Sequence, residues 1–131
     1  MARTKFVIGR AVRAGGTIVV NARDARLVAL AEEHRAADDG TRAIAFFLDA
    51  ETANDESREV LRAARGRGDA VAFTEAGKVV RARGEAAHVV ADVADVPIAF
   101  GGAARYNVEN ALGVVAAASA LGIADDAIAR A

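Results

Sequence analysis

Cysteine is absent from this chain of 131 residues, which excludes disulfides and any thiolate nucleophile or metal ligand. Tryptophan is missing too, aromatics make up 5%, and the one proline stands at position 97. A surplus of either charge is lacking. Seventeen Lys and Arg face 18 Asp and Glu, a formal net charge of -1, so neither nucleic acid nor a membrane surface is expected as a partner. No apolar run approaches the roughly 20 residues that a membrane-spanning helix needs. The opening "MARTKFVIGRAVRAGG" is interrupted by Arg, Lys and Gly too often for a secretory signal, so the expected location is the cytoplasm.

Several signatures of chemistry are missing as well. A phosphate-binding P-loop needs Gly-x-x-x-x-Gly-Lys-Ser/Thr, whereas "EAGKVV" has Gly77 and Lys78 without the earlier Gly or the hydroxyl residue. "GRAVRAGG" falls on a helix and its end, not between a strand and a helix, so it is no dinucleotide fingerprint. No Gly-x-Ser-x-Gly elbow occurs. His34 and His88 are isolated, which argues for structural roles and against a zinc site.

What is present is an alternation of periods. Apolar residues, 53% of the chain and many of them Ala, suffice for one domain with a core. Residues 3 to 13 carry Phe6, Val7, Ala11 and Val12 at helical spacing. "TIVVNA" (17 to 22) reads as a buried strand, followed by a helix with Leu27, Val28, Leu30 and Ala31 on one face and Asn21 or Asp24 as its cap. "RAIAFFLDA" (42 to 50) is a second strand, and "DESREVLRAARGRG" a polar helix ended by Gly66 and Gly68. This strand-helix-strand-helix order predicts an α/β fold with a parallel sheet flanked by helices.

Beyond Gly68, "DAVAFTEAGKVVRARG" predicts a hairpin turning at "EAG", an inserted strand-rich segment that "EAAHVVADVADVPIAF" continues in extended form. An Ala-rich helix follows, stopped at Gly122, and "DDAIARA" begins another with no partner after it. The Asp pairs at 38 and 125 read as turns or caps.

The Ala-rich helix opens on two amides three residues apart, Asn107 and Asn110, although Asn is a poor residue for a helix interior. On a helix the two share a face. Carboxamides offer both acceptor and donors, a match to the amino group and ring nitrogens of adenine. The structural alternative is helix capping by Asn107 and a buried hydrogen bond by Asn110.

"YNVENALGVVAAASALGI" resembles the segment that ends the central ATPase domain of the Mur ligase superfamily, where Asn-x-x-Asn-Ala introduces an Ala-rich helix. "NVENALG" resembles the cyanophycin synthetase branch in particular. Three other stretches resemble that family in the same order: "MARTKFVIGRAVRAGG", "TIVVNARD" and "VPIAFGG". Where the family has "NADD", Arg23 replaces the first Asp, so Asn21 and Asp24 keep a capping role.

The resemblance implies a partial Mur-ligase-type central domain spanning 1–131: an α/β part at 1–68, a strand-rich part at 69–100, and the Asn-led helix with the start of a further one at 101–131. It implies that Asn107 and Asn110 bind adenine, that Tyr106 packs near the base, and that Lys5, if carbamylated, helps hold Mg2+ beside ATP. It also implies that the P-loop and amino-acid-binding parts lie elsewhere in a parent ligase using ATP and Mg2+. The expected function is therefore the adenine side of a carboxylate-amine ligase of cyanophycin synthetase type, inactive alone.

Two alternatives stand beside it. One is a binding or assembly module whose Ala-rich helix packs on another chain, as a homo-oligomer or with the missing ligase parts. The other is a piece of a different Mur-type ligase, for peptidoglycan precursors or folate glutamylation.

Overall fold

The computed structural model describes residues 2–38 and 40–131, and of Ala2, Arg3 and Lys5 the backbone alone. Helix α1 (Ala2–Ala11) leads into β1 (Thr17–Asn21), α2 (Ala25–Ala37), β2 (Ala43–Leu48), α3 (Asp55–Gly66) and β3 (Ala70–Glu75). Strands β4 (Lys78–Arg83) and β5 (Ala86–Asp92) follow, then two short 3-10 turns, α4 (Arg105–Ala120) and α5 (Asp125–Arg130). All five strands form one sheet in sequence order. β1, β2 and β3 pair in parallel, while β3, β4 and β5 pair antiparallel, so the strand-rich part extends the same sheet.

Strand alternation distributes the apolar residues over two faces. Ile18, Val20, Ile44, Phe46, Val71 and Phe73 point to one side, where Ala31 of α2 and Leu61 and Ala64 of α3 cover them. Val19, Phe47, Ala72 and Val79 point to the other, where α4 lays down Val108, Leu112, Val115 and Ala116. The result is an α/β fold of three layers, with two crossover helices on one face and the Ala-rich helix on the other. Small residues let α4 approach closely: a Cβ added at Gly113 would stand 3.3 Å from the Phe47 ring.

Local chemistry fixes the ends of the elements. Asp24 caps α2, accepting from the N–H groups of Arg26 and Leu27 at 3.1 Å each. Asn54 caps α3 through Ser57 N–H at 2.8 Å. The hairpin turns on Ala76 (φ 48°) and Gly77 (φ 72°), the two positive φ values that match the twist of the flanking strands.

The extended reading of residues 85 to 100 requires correction. It holds only to Asp92; 3-10 turns occupy Val93–Asp95 and Pro97–Ala99. Val93 and Ala99 are buried under α4 and Val96 packs beside them, a spacing of three that 3-10 turns bring to one side and a continuous strand would alternate between faces. No helix of the described residues is long and apolar enough to cross a membrane.

Candidate functional site at the carboxyl ends of the parallel strands

In sheets of this kind the loops at the carboxyl ends of the parallel strands form the usual ligand crevice. Here β1 ends on Asn21, β2 runs straight into Asp49, and β3 contributes Thr74. The amino-terminal turns of α4 close over this end with Arg105, Tyr106 and Glu109. Arg23, Asp49, Thr52, Arg105, Tyr106 and Glu109 line an open cleft of about 300 Å³.

Asp49 is its electrostatic centre. The residue is 0% exposed. Its carboxylate accepts from the Arg105 guanidinium in a bidentate pair, with Nε at 2.8 Å, and from the hydroxyls of Thr52 and Thr74 at 2.7 Å each. Burial pushes this carboxyl up, but the hydrogen bonds from Arg105, Thr74 and Thr52, with the charge of Arg105, outweigh it and hold Asp49 below the ordinary value of 3.8. Arg105 also reaches Glu51 at 3.3 Å, and its own pKa is raised, chiefly by the hydrogen bond to Asp49. Glu51 in turn accepts from Gly77 N–H at 2.6 Å, which ties the hairpin turn to the cleft.

A second cluster joins β1 to α4. Asn21 Oδ1 accepts from Arg23 N–H at 2.8 Å, and its Nδ2 donates to Glu109 at 3.1 Å. Arg23 pairs with Glu109 and donates to the Thr52 hydroxyl at 2.9 Å. Arg23 is thus matched by an acid on α4.

The Asn pair sits at the start of the same helix, yet neither amide caps the helix or is buried within it. α4 begins after Ala104 with no side-chain cap. Asn107 Nδ2 instead donates backward to the Ile98 carbonyl at 2.7 Å, holding the preceding turn against the helix. Asn110 is exposed. On the turn that Asn107 holds, Phe100 is 76% exposed on left-handed backbone (φ 48°), and Ile98 is also exposed. Asn107 retains Oδ1 and one N–H for a ligand.

The remaining candidates scatter. Lys5 lies in α1, but its side chain falls outside the described residues, as does Asp39. His34 meets the Phe6 ring edge-on, with centroids 5.9 Å apart, and His88 is exposed on β5 opposite Arg81. Asp38 ends α2 and pairs with Arg42, while Asp125 pairs with Arg81. Among the described residues, no three His, Asp or Glu side chains converge so as to hold a metal ion.

Sequence reasoning missed the Asp49–Arg105 and Arg23–Glu109 pairs. A signal existed for the first: a carboxylate directly after the apolar run "AFFL" marks the carboxyl end of a buried parallel strand. The second joins residues 86 positions apart, and no local pattern announces it.

Fold and cleft together define an α/β domain with a polar crevice at the carboxyl ends of its parallel strands. Comparison adds a particular relative: the chain is 32% identical over 118 residues to a cyanophycin synthetase from Nostoc sp.. The match covers 90% of this chain and 12% of that protein, so the chain spans about one eighth of its relative's length. No protein-family model matches the chain.

Proposed function

We propose that this chain carries the adenine side of the ATP site of an amide-forming, ATP-dependent ligase of cyanophycin synthetase type. The observation that carries the reading is the similarity to a cyanophycin synthetase over nine tenths of the chain, in a chain whose α4 carries Asn107 and Asn110 in its first turns. Three features support it. The Asn pair opens a helix at the carboxyl ends of the parallel strands, the Asn107 amide is oriented by Ile98, and Phe100 offers an exposed flat ring on the turn that Asn107 holds. A carboxamide Oδ1 accepting from the adenine amino group, with a neighbouring N–H donating to a ring nitrogen, is the recognition such a pair performs.

In the ligase, ATP and Mg2+ would convert a carboxylate to an acyl phosphate for attack by an amine. The residues of this chain bind and orient the base. No metal or phosphoryl step is assigned to them, and Lys5 is left as a metal ligand only in its carbamylated form. The purified 131 residues are expected to form no amide from ATP, a carboxylate and an amine.

Calorimetric titration with ATP tests the reading. Wild type binds weakly, and Asn107→Ala or Asn110→Ala weakens binding about fivefold to tenfold, the value of one hydrogen bond to a polar ligand group. Asn110→Ala is the cleaner arm because that side chain is exposed and holds no other segment. Equal binding by wild type and Asn110→Ala removes the adenine role.

A further inference from the structure

Helix α4 leaves a cavity at the end of the sheet opposite the cleft. Thr17, Ala43 and Ala70, the first residues of β1, β2 and β3, line it together with Ala116 and Ser119 from the last turns of α4. Arg81 and Arg83 of β4 and His88 of β5 close one side. With walls drawn from all five strands and α4, the cavity follows from how the helix meets the sheet. Toward the carboxyl ends the same layer is filled by Phe47, Val79 and Leu112. At this end alanines stand in their place, and about 190 Å³ stays open, room for one small organic molecule.

The polar groups of the lining lack partners. Ser119 Oγ is buried and makes no hydrogen bond, one of two such side-chain atoms among the described residues. A buried hydroxyl in that state calls for an explanation, and a ligand that meets it is one. Arg83 and His88 stand exposed at the rim and form no side-chain hydrogen bond or ion pair with a described residue. Arg81 is engaged: Asp125 holds it in a bidentate pair, with Nη2 at 2.9 Å, which ties α5 to β4. Among the described residues no acid lines the cavity.

Charge and shape select the ligand. A guanidinium is a planar fork that matches the two oxygens of a carboxylate, and the imidazole of His88 adds a donor beside it. Alanine methyl groups suit a short hydrocarbon stem and would leave phosphate oxygens unbonded. The volume is below that of pockets for larger ligands.

We propose that this cavity binds a short aliphatic hydroxycarboxylate. Its carboxylate meets Arg83 and His88, its stem lies on Ala43, Ala70 and Ala116, and its hydroxyl pairs with Ser119. The inference stands apart from the adenine reading and uses none of its residues.

The probe is 3-hydroxybutyrate, titrated into the isotopically labelled full chain while the alanine methyl signals are followed by nuclear magnetic resonance. The methyl groups of Ala70 and Ala116 shift saturably. Butyrate, which lacks the hydroxyl, binds about fivefold more weakly, and 1,3-butanediol, which lacks the charge, at least about tenfold more weakly. Arg83→Gln, a change at an exposed position, weakens 3-hydroxybutyrate about tenfold. Ser119→Ala makes 3-hydroxybutyrate and butyrate bind alike while thermal unfolding of the free chain is not lowered, a combination that a merely structural hydroxyl would not give. No saturable shift at Ala70 and Ala116, equal binding of 3-hydroxybutyrate and 1,3-butanediol, unweakened binding in Arg83→Gln, or an advantage of the hydroxy acid that survives Ser119→Ala would each overturn the proposal.

Discussion

Asp49 is the residue on which the carboxyl end of the sheet depends. It is wholly buried and its charge is balanced by Arg105, so removing the cation leaves a carboxylate in low dielectric with only two hydroxyls to satisfy it. Because Arg105 is 33% exposed and water enters when it is removed, Arg105→Met should cost about 2–4 kcal/mol in urea unfolding, near the lower end for broken buried pairs. The pH dependence has a definite sign. The folded pKa of Asp49 lies below the unfolded value, so its contribution is full above the ordinary 3.8 and is lost as pH falls through the lower, folded value. Asp49→Asn should flatten that part of the acid limb in stability measured against pH; an unchanged limb would mean that the Asp49 charge carries no such contribution. At Arg23 the test is a reversal: Arg23→Asp sets two carboxylates together at Glu109 and should lower stability by about 1 kcal/mol in thermal unfolding. Adding Glu109→Gln should recover part of that loss.

Helix α4 decides the fit at the scale of elements. It covers the parallel strands on one face of the sheet, and a side chain added at Gly113 would press on the Phe47 ring. Gly113→Val forces the two apart and should cost about 1–3 kcal/mol in denaturant melts, despite removing a helix glycine. Leu112→Ala, one residue earlier at a fully buried position, should cost about 2–5 kcal/mol by leaving a cavity. The period of each segment made these elements legible in advance: β-branched runs at "TIVV", helical spacing in α2, and positive-φ turn chemistry at Gly77. The 3-10 turns at 93–99 were not legible. Their apolar residues, Val93, Val96 and Ala99, are placed by contact with α4; the three-residue repeat in "VADVADV" fits 3-10 turns, but it follows directly on the β-branched run of β5 and reads as its continuation.

For the whole molecule, the sequence carried the layer order because each crossover helix lies between the strands it joins, which leaves few topologies. It could not carry the cleft. Asp49 meets Arg105, and Asn21 and Arg23 meet Glu109, only once α4 has folded back across the carboxyl ends of β1 and β2. Asn107 was legible as an unusual helix residue, but its tie to Ile98 depends on the turn that precedes the helix. The same folding back puts the Asn pair, the Asp49 cluster and the exposed Phe100 at one end of the molecule. On the proposed reading, a nucleotide lying along that end has its base on α4.

The adenine role is tested most directly by titrating the isotopically labelled chain with adenosine monophosphate and following the side-chain amide signals in a two-dimensional nuclear magnetic resonance spectrum. Saturable, concerted shifts of the Asn107 and Asn110 carboxamides are expected, with the Asn110 shift in Asn107→Ala needing about fivefold to tenfold more nucleotide to reach its midpoint. Unmoved carboxamides at saturating nucleotide, or shifts confined to the opposite end of the sheet, would contradict the adenine role.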